Sequence, residues 1–282
     1  MRMDLHMHST ASDGAKTPAE LVRYCYETCG VRLMALTDHD TVSGLAQARQ
    51  AARLCGMRFI NGIEVSTIWS GRSVHIVGLG VDDEDALLVS TTADLCAKRD
   101  RRAVEMGRRL EELGYQNMFE KALAKTHVKA NVSRLHFAQC LVDEGAVGSI
   151  QEAFDKYLSE GKPAYVAAAW PSIAEAVDLI HHAGGVAVLA HPGRYRFQSD
   201  WQLDALVEGF AQEGGEAIEL VSGSQSPAFT PRCAAWAKQH HLYGSTGSDF
   251  HRSGGERPEP GAQGEMPAGI PSVLELLGVK EE

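Results

Sequence analysis

The sequence predicts an α/β protein, built as one barrel-like domain with a helical insertion, and three observations favour this fold. In the first half of the 282-residue chain, apolar strand patterns alternate with helical patterns, which is typical of a largely parallel sheet covered by helices. Over roughly residues 93–162 the pattern is helical, with no convincing strand, and afterwards the alternation returns. We therefore expect a discontinuous α/β domain, residues 1–93 and 163–282, interrupted by a helical insertion at 94–162.

The predicted elements follow one another in a clear order. The first half contains four strand patterns: MRMDLHMH, VRLMALTD, RFINGIEVS and SVHIVGLGV. A helix begins at Thr17, where Thr-Pro-Ala-Glu supplies an N-cap, a proline at the first helical position and a glutamate at the third. Ser172 begins another helix with a similar capping box. Three more strands follow, GVAVLAHP, AIELVS and LYGSTGSD, and residues 252–267 are predicted to form a loop before a short terminal helix.

Composition and charge indicate a globular protein of the cytoplasm. Apolar residues make up 44% of the chain and charged residues 23%, and no run of about 18 apolar residues predicts a membrane span. The N-terminal segment lacks the apolar region of a signal peptide. Six cysteines without a CxxC pair are typical of reduced thiols. The formal net charge of −10 disfavours binding to long duplex nucleic acid, and no feature indicates an obligate protein partner.

One segment departs from the acidic average. Between Lys98 and Arg134 the chain has ten lysines or arginines against five aspartates or glutamates. A solvated helical face and a local anion-binding patch both explain such an excess. The composition of the segment leaves both interpretations open.

The first sign of chemistry is the motif His6-Met7-His8 at the end of the first predicted strand. Because side chains alternate along a strand, the two imidazoles point to the same face, which Asp4 shares. Two imidazoles side by side are a natural pair of metal ligands. The motif is weak by itself, so its interpretation depends on what else reaches the same place.

Further residues of metal-ligand type lie at or just beyond the ends of the other predicted strands, except His75, which lies within one. In a parallel barrel the carboxyl ends of the strands meet at one face, where active sites are built. The complete set is His6, His8, Asp13, His39, Glu64, His75, His191, Asp249 and His251. The other six histidines fall on predicted helices or in the insertion and share no common edge. The set therefore predicts a metal centre.

The number and type of these ligands indicate a hydrolytic centre. Six histidines and three carboxylates are too many for one ion, so we expect two or three divalent ions with at least one bridging carboxylate. Mixed nitrogen and oxygen ligands suit Mn²⁺, Fe²⁺ or Zn²⁺, and the absence of cysteine from the set disfavours a structural zinc site. Clustered ions favour hydrolysis, because they lower the pKa of a bridging water and neutralise a leaving oxygen.

Six motifs, in this order, resemble the polymerase and histidinol phosphatase (PHP) family: DLHMHSTASDG, LTDHDT, GIEVS, VHIVG, LAHPGRY and GSDFH. The resemblance covers residues 1 to about 90 and about 165 to 252. It implies a distorted (β/α)7 barrel that holds three divalent ions, with Mn²⁺ favoured over Fe²⁺ and Zn²⁺. It also implies that the helical insertion lies over the metal-binding face as a cap.

The resemblance further implies how the ligands divide among the ions, and every position matches the family's motifs. One ion would be held by His6, His8, Glu64 and Asp249, a second by Glu64, His75 and His191, and a third by Asp13, His39 and His251. A hydroxide bridging the two ions that share Glu64 would attack phosphorus. The third ion, held through Asp13, and the side chain of Arg194 would stabilise the phosphoryl oxygens.

The motifs and the insertion are most similar to stand-alone family members that act on nucleotides. The resemblance implies hydrolysis of the 3′-phosphate of a nucleoside 3′,5′-bisphosphate, with 5′→3′ cleavage of short RNA as the alternative. A second phosphate needs cations away from the metals, and the planar fork of arginine suits phosphate oxygens. The candidate substrate-binding residues are Arg99, Arg101, Arg102, Lys129, Arg134 and Arg194.

Two other functions are weaker alternatives. Histidinol phosphate is a small cationic substrate, which would not require a basic insertion. A non-catalytic metal-binding module would be expected to have lost some of the ligands, whereas all nine are present in this chain.

Overall fold

The computed structural model describes residues 1–126, 132–255 and 257–280. The chain divides into two compact units, Met1–Thr92 with Trp170–Glu282, and Ala93–Ala169. The first, here called the α/β unit, contains all the strands, and the second, the helical unit, contains none among its described residues. The insertion expected at 94–162 falls inside the helical unit, which continues to Ala169.

The α/β unit is organised around a seven-stranded sheet whose strands lie in chain order. The strands are β1 Met3–Asp4, β2 Leu33–Leu36, β3 Arg58–Trp69, β4 Arg72–Leu79, β5 Val186–Leu189, β6 Ala217–Ser222 and β7 Tyr243–Gly247. The first and last strands also meet, because Leu5 N donates to Thr246 O at 3.1 Å and Asp249 N donates to His6 O at 2.8 Å. The sheet is therefore a nearly closed barrel, in agreement with the predicted fold.

The sheet is parallel except around β4, which pairs antiparallel with both β3 and β5. A hairpin joins β3 to β4 across Ser70 and Gly71, whose φ values of 48° and 75° suit a two-residue turn. The sequence predicts no helix between these two strands, and only this turn separates them. As a result, the first residues of β4, including His75, lie at the same edge as the carboxyl ends of the parallel strands.

Helices connect most strands and form the helical unit. They are α1 Pro18–Arg23, α2 Leu45–Cys55, α3 Ala86–Glu112, α4 Met118–Leu123, α5 Arg134–Asp143, α6 Ile150–Ala153, α7 Ile173–His182, α8 Asp200–Gln212, α9 Thr230–His240 and α10 Val273–Leu276. Both predicted capping boxes are confirmed, one from Thr17 to Glu20 before α1 and one from Ser172 to Glu175 before α7. The short helix α10 follows the C-terminal loop, as predicted.

Each unit has its own apolar core. In the α/β unit a buried cluster joins Val77 and Val188 of the barrel with Val273 and Leu274, so the terminal helix α10 is anchored to the strands. The core of the helical unit is built mainly from α3, α4 and α5, with Met106, Leu110, Met118, Phe137 and Leu141. Separate cores are consistent with two units that each bury their own apolar surface.

Two further observations concern the chain as a whole. Across the described ranges, no helix combines the length and the apolar character needed to cross a membrane. All six cysteines are free thiols, so no disulfide contributes to stability.

Candidate metal centre

His6 and His8 follow β1 side by side, as their spacing predicts. Their Nε2 atoms lie 3.2 Å apart, and both side chains are completely buried. Asp4 is buried as well, but its carboxylate accepts hydrogen bonds from the backbone N of His6, Ser248 and Gly261. Burial raises the pKa of Asp4 to about 6, although these N–H donors lower it. Through these hydrogen bonds Asp4 connects the end of β1 to the backbone at Ser248 and Gly261.

Glu64 lies at the centre of the site. It was expected at the end of its strand, but β3 continues past it to Trp69, so its side chain projects from the middle of a strand. Its two carboxylate oxygens lie between 2.9 and 3.3 Å from ring nitrogens of five histidines: His6, His8, His39, His75 and His191. The carboxylate is fully buried. One side chain thus lies against imidazoles from four different segments of the chain.

Two other carboxylates border this cluster. Asp249 Oδ1 lies 3.2 Å from His8 Nε2 and 3.6 Å from His251 Nδ1. Asp13 Oδ1 lies 3.3 Å from His251 Nε2, and Asp13 Oδ2 lies 3.9 Å from His39 Nε2. The structure therefore brings together all nine residues that the sequence singled out.

Three overlapping groups within this cluster have ligand atoms close enough to share an ion. They are His8, Asp13, His39 and His251; His6, His8 and Glu64; and His39, Glu64 and His75, with the ligand atoms of each group within 4.8 Å of one another. His8 and His39 each occur in two groups, whereas the resemblance gave each of them to one ion. The geometry supports several ions in contact with shared ligands.

The chemistry of the cluster fits divalent cations. Three buried atoms of the cluster, among the residues that the structure describes, make no hydrogen bond: His39 Nδ1, Glu64 Oε2 and Asp249 Oδ1. Buried polar atoms without a partner are costly, and lone pairs directed at a common point are what a cation requires. The donors are imidazole nitrogens and carboxylate oxygens, which suit Mn²⁺, Fe²⁺ and Zn²⁺.

The pKa values in the cluster separate neutral imidazoles from charged ones. Burial lowers the pKa of His39 and of His191 to about 4, so both rings are neutral. Burial opposes ionisation of Glu64 and Asp249, yet the neighbouring imidazoles hold the pKa of both carboxyls well below its usual value. For His8 burial disfavours the charged ring, but the adjacent carboxylates of Asp249 and Glu64 raise its pKa to about 10. Ionised carboxylates therefore face a set of imidazoles that cannot all be charged.

Unusual backbone conformations occur at the same edge of the barrel. Asp40, His191 and Asp249 follow β2, β5 and β7, with φ values of 52°, 32° and 52°. Positive φ is unfavourable for residues with a Cβ atom and concentrates at functional sites. The carboxylate of Asp40 accepts a hydrogen bond from Ser66 N at 2.7 Å, which supports the turn after β2.

A second carboxylate positions the loop that carries Asp13. Asp38 accepts hydrogen bonds from Ser9 N at 2.7 Å and from the hydroxyls of Ser9 and Ser12 at 2.6 Å each. A Cβ atom at Gly14 would lie 2.2 Å from His8 O, so the loop can pass this close to the strand only with glycine. The Ser-Asp-Gly sequence thereby places Asp13 beside the histidines.

Two residues of the site were missed from the sequence. Glu219 in β6 lies 2.6 Å from His6 Nδ1 and accepts a hydrogen bond from His191 N at 2.7 Å. A single glutamate inside the apolar strand AIELVS was the available signal. Arg257 Nε donates to Asp249 Oδ2 at 2.8 Å from the Gly- and Pro-rich loop, where no sequence pattern indicated a role.

The predicted cationic residues lie in both units. In the α/β unit, Arg194 Nη1 lies 3.8 Å from Asp249 Oδ2, and the Arg194 side chain is 44% exposed. In the helical unit, Arg101 is exposed on α3, while Arg102 Nε donates to Val166 O at 2.9 Å. Burial and the charges of Arg134 and Arg99 lower the pKa of Arg102 to about 10. Lys129 lies outside the described residues.

Arg134 begins α5 and contacts two aromatic rings of the helical unit. Its guanidinium carbon lies 5.7 Å from the ring centre of Phe154 and 6.0 Å from that of Tyr165. Burial lowers the pKa of Arg134 from its ordinary value. Arg99 and Arg134 both lower the pKa of Arg102, so the three cations repel one another. A bound anion would relieve this repulsion.

The histidines outside the set lie elsewhere. His181 and His182 end α7 and pair with Glu216 and Asp85, respectively. His240 and His241 end α9, and His136 hydrogen-bonds Ser133 at the start of α5. His127 lies outside the described residues. The contacts of His136, His181 and His182 explain these three side chains without a metal.

Comparisons with known proteins agree with this geometry. Residues 4–206 match the PHP domain family. The chain is 44% identical over 252 residues to the 3′,5′-nucleoside bisphosphate phosphatase of Chromobacterium violaceum, covering 89% of this chain and 88% of the relative. It is 42% identical over 279 residues to the 5′-3′ exoribonuclease Rnm of Escherichia coli, covering 97% and 92%. A solved amidohydrolase from Chromobacterium violaceum, with bound sulfate and no metal, superposes with a TM-score of 0.89 at 41% identity, covering 99% of this chain and 96% of that one.

Proposed function

Because this chain belongs to the PHP domain family, we propose that it is a metal-dependent phosphatase that removes the 3′-phosphate of nucleoside 3′,5′-bisphosphates. The observation that carries the proposal is the buried cluster of six imidazoles and three carboxylates around Glu64. The substrate class is supported by the 44% identity to a relative named for this activity. Free cysteines suit a reducing cytoplasm.

We assign the nine residues to three divalent ions, with Mn²⁺ favoured. His6, His8, Glu64 and Asp249 hold the first; Glu64, His75 and His191 the second; and Asp13, His39 and His251 the third. Bound ions of this kind lower the pKa of water and neutralise phosphoryl oxygens. Support comes from the shared position of Glu64, whose Oε2 lies 3.2 Å from His8 Nε2 while its Oε1 lies 3.0 Å from His191 Nε2.

The protein's own cations orient the substrate. We assign Arg194 to the phosphoryl group that is removed, because its half-exposed guanidinium lies beside Asp249 at the cluster. We assign the remote 5′-phosphate to the helical unit, through Arg99, Arg101, Arg102, Lys129 and Arg134. The depressed pKa of Arg102 supports this, since an anion would relieve the repulsion among Arg99, Arg102 and Arg134.

The identity of the product tests this proposal. The Mn²⁺-loaded protein is incubated with adenosine 3′,5′-bisphosphate, and the nucleotides are separated by chromatography against authentic 5′-AMP and 3′-AMP. We expect 5′-AMP and one equivalent of phosphate, with no further conversion to adenosine. Accumulation of 3′-AMP would reverse the assignment of the two phosphates.

A second candidate function is 5′→3′ cleavage of short RNA, which the 42% identity to an exoribonuclease over 97% of the chain favours. Both reactions would use the same cluster and break the bond between phosphorus and the 3′-oxygen of a nucleotide. They differ in whether that phosphorus is a terminal phosphate or is also esterified to the rest of the RNA chain. A 5′-phosphorylated RNA of five nucleotides, followed over time on a gel, separates them. Stepwise loss of 5′-mononucleotides at a rate above that of bisphosphate hydrolysis would make this the main activity.

A further inference from the structure

Glu219 is a buried carboxylate that contacts two metal-ligand candidates at once. We propose that Glu219 is a positioning residue, which selects the tautomer of His6 and fixes the backbone of His191 so that both present Nε2 to divalent ions. One oxygen lies 2.6 Å from His6 Nδ1, and the other accepts a hydrogen bond from His191 N at 2.7 Å. The Glu219 side chain is 2% exposed and that of His6 is fully buried. The inference rests on the metal centre proposed above.

The contact with Nδ1 determines which nitrogen of His6 can bind an ion. A carboxylate only accepts hydrogen bonds, so the proton of a neutral His6 ring must reside on Nδ1. The lone pair then lies on Nε2, which is 3.3 Å from Glu64 Oε2 and 3.6 Å from Asp249 Oδ1. Imidazole ligands are commonly oriented by a carboxylate on their second nitrogen in this way.

The contact with His191 acts through the main chain. His191 follows β5 with a φ of 32°, an unfavourable conformation for a residue with a Cβ atom. Its buried N–H needs an acceptor, and Glu219 supplies one from the neighbouring strand β6. With the backbone held there, His191 Nε2 lies 3.0 Å from Glu64 Oε1. Glu219 therefore supports ligands assigned to two different ions.

Glutamine is the informative replacement, because it keeps the shape of the side chain and removes one of the two acceptors. An amide has one oxygen and one NH₂ group, so either His191 N–H or His6 Nδ1–H must face a donor. If the NH₂ group faces His6, the ring accepts at Nδ1 and its proton moves to Nε2, the ligand atom. Glu219→Gln thus disturbs the metal ligands without opening a cavity.

Glu216 provides a matched control within the same pair of strands. It immediately precedes β6, and it also contacts a histidine and a backbone N–H of β5: His181 Nε2 at 2.8 Å and Ala187 N at 2.9 Å. Because β5 and β6 are parallel, these contacts lie at their amino ends, away from the cluster. Glu216→Gln removes the same kind of acceptor where no ion is expected.

The test is Mn²⁺ binding by the full-length protein and both variants, measured by equilibrium dialysis and calorimetry, with circular dichroism to confirm folding. For Glu219→Gln we expect an affinity lower by about 10- to 100-fold at one or more sites, as for other residues that orient metal ligands. Glu216→Gln should bind like the wild type. Equal binding by all three proteins would overturn the role of Glu219 and leave the metal centre intact. Absence of Mn²⁺ binding by the wild type would instead contradict the proposed function.

A second measurement uses only the wild type and so does not depend on the folding of a variant. Long-range ¹H–¹⁵N correlation spectra of the Zn²⁺-loaded protein report which imidazole nitrogen carries a proton and which binds metal. We expect a protonated Nδ1 and a metal-bound Nε2 for His6. A metal-bound Nδ1 would contradict the role of Glu219, whatever the activity of the enzyme.

Discussion

The Nε2 atoms of His6 and His8 lie 3.2 Å apart in the protein interior, and both face the same oxygen of Glu64. Two imidazole lone pairs at this distance repel unless a proton or a cation lies between them. The Glu64 carboxylate completes a ligand group with both rings. Bound cations would relieve the repulsion between these two imidazoles. The stability of this region should therefore depend on metal.

Metal removal should lower thermal stability. Ions that bind only the folded cluster add stability by mass action, about 2.7 kcal/mol at a free concentration 100-fold above Kd. We expect chelator-treated protein to unfold at a lower temperature, and stepwise addition of Mn²⁺ to raise the midpoint. Glu64→Gln serves as the control and should lose most of this response. A midpoint that is insensitive to Mn²⁺ in the wild type would contradict a metal-filled cluster.

Asp13→Ala should reduce turnover strongly and leave the fold intact. Its carboxylate lies beside His251 and His39 on a surface loop and is 32% exposed. Its removal therefore eliminates a predicted metal ligand without leaving a cavity in the core. We expect kcat to fall by more than about 100-fold, because the effect of a lost ligand should exceed that of a lost supporting contact. Asp178→Ala, an exposed position on α7, is the matched control. Full activity of Asp13→Ala would remove this carboxylate from the centre.

Arg134→Ala should weaken binding of the bisphosphate more than it slows the reaction. A hydrogen bond to a charged group contributes roughly 1.5–3 kcal/mol, which corresponds to an increase in KM of about tenfold or more. If the remote phosphate is held equally in the ground and transition states, kcat changes little. Arg108→Ala on α3 is the control, because Glu105 and Glu112 already neutralise that cation. Unchanged kinetics with the bisphosphate would exclude Arg134 from the site.

Arg257→Ala should impair the centre through Asp249. The guanidinium donates a hydrogen bond to a carboxylate that is 1% exposed, and removing a donor from a buried charged group is costly. We expect kcat/KM to fall by about 10- to 100-fold, with only partial recovery in Arg257→Lys, because lysine lacks the planar fork of arginine. Arg252→Ala, at an exposed position earlier in the same loop, should behave like the wild type. Equal kcat/KM for Arg257→Ala and the wild type would show that Asp249 does not need this partner.

The residues that meet in the cluster could be predicted from the sequence because their positions depend on local rules. The alternation of side chains along a strand places His6 and His8 on one face, and carboxyl ends of parallel strands meet at one edge of a barrel. These rules also held for the positions of His191 and Asp249, which come two residues after the ends of β5 and β7. The motifs therefore identified the members of the cluster, and their role as metal ligands remains a prediction.

The features that escaped prediction depend on pairing between distant segments. The orientation of β4 follows from a two-residue turn at Ser70 and Gly71, and the sequence pattern of two apolar strands is compatible with either direction. The role of Glu219 appears only when β6 lies beside β5, and that of Arg257 only when the C-terminal loop reaches Asp249. The lone glutamate in the apolar strand AIELVS marks Glu219 but does not identify its partners, and no sequence pattern indicates the contact of Arg257.

The proposed function is tested most directly by phosphate release from adenosine 3′,5′-bisphosphate by the Mn²⁺-loaded protein, beside AMP, histidinol phosphate and a short 5′-phosphorylated RNA. We expect the bisphosphate to be by far the best source of phosphate, AMP to be inert, and Glu64→Gln to abolish the reaction. If the protein binds Mn²⁺ but hydrolyses none of these compounds, the assignment of this cluster to phosphate ester hydrolysis is wrong.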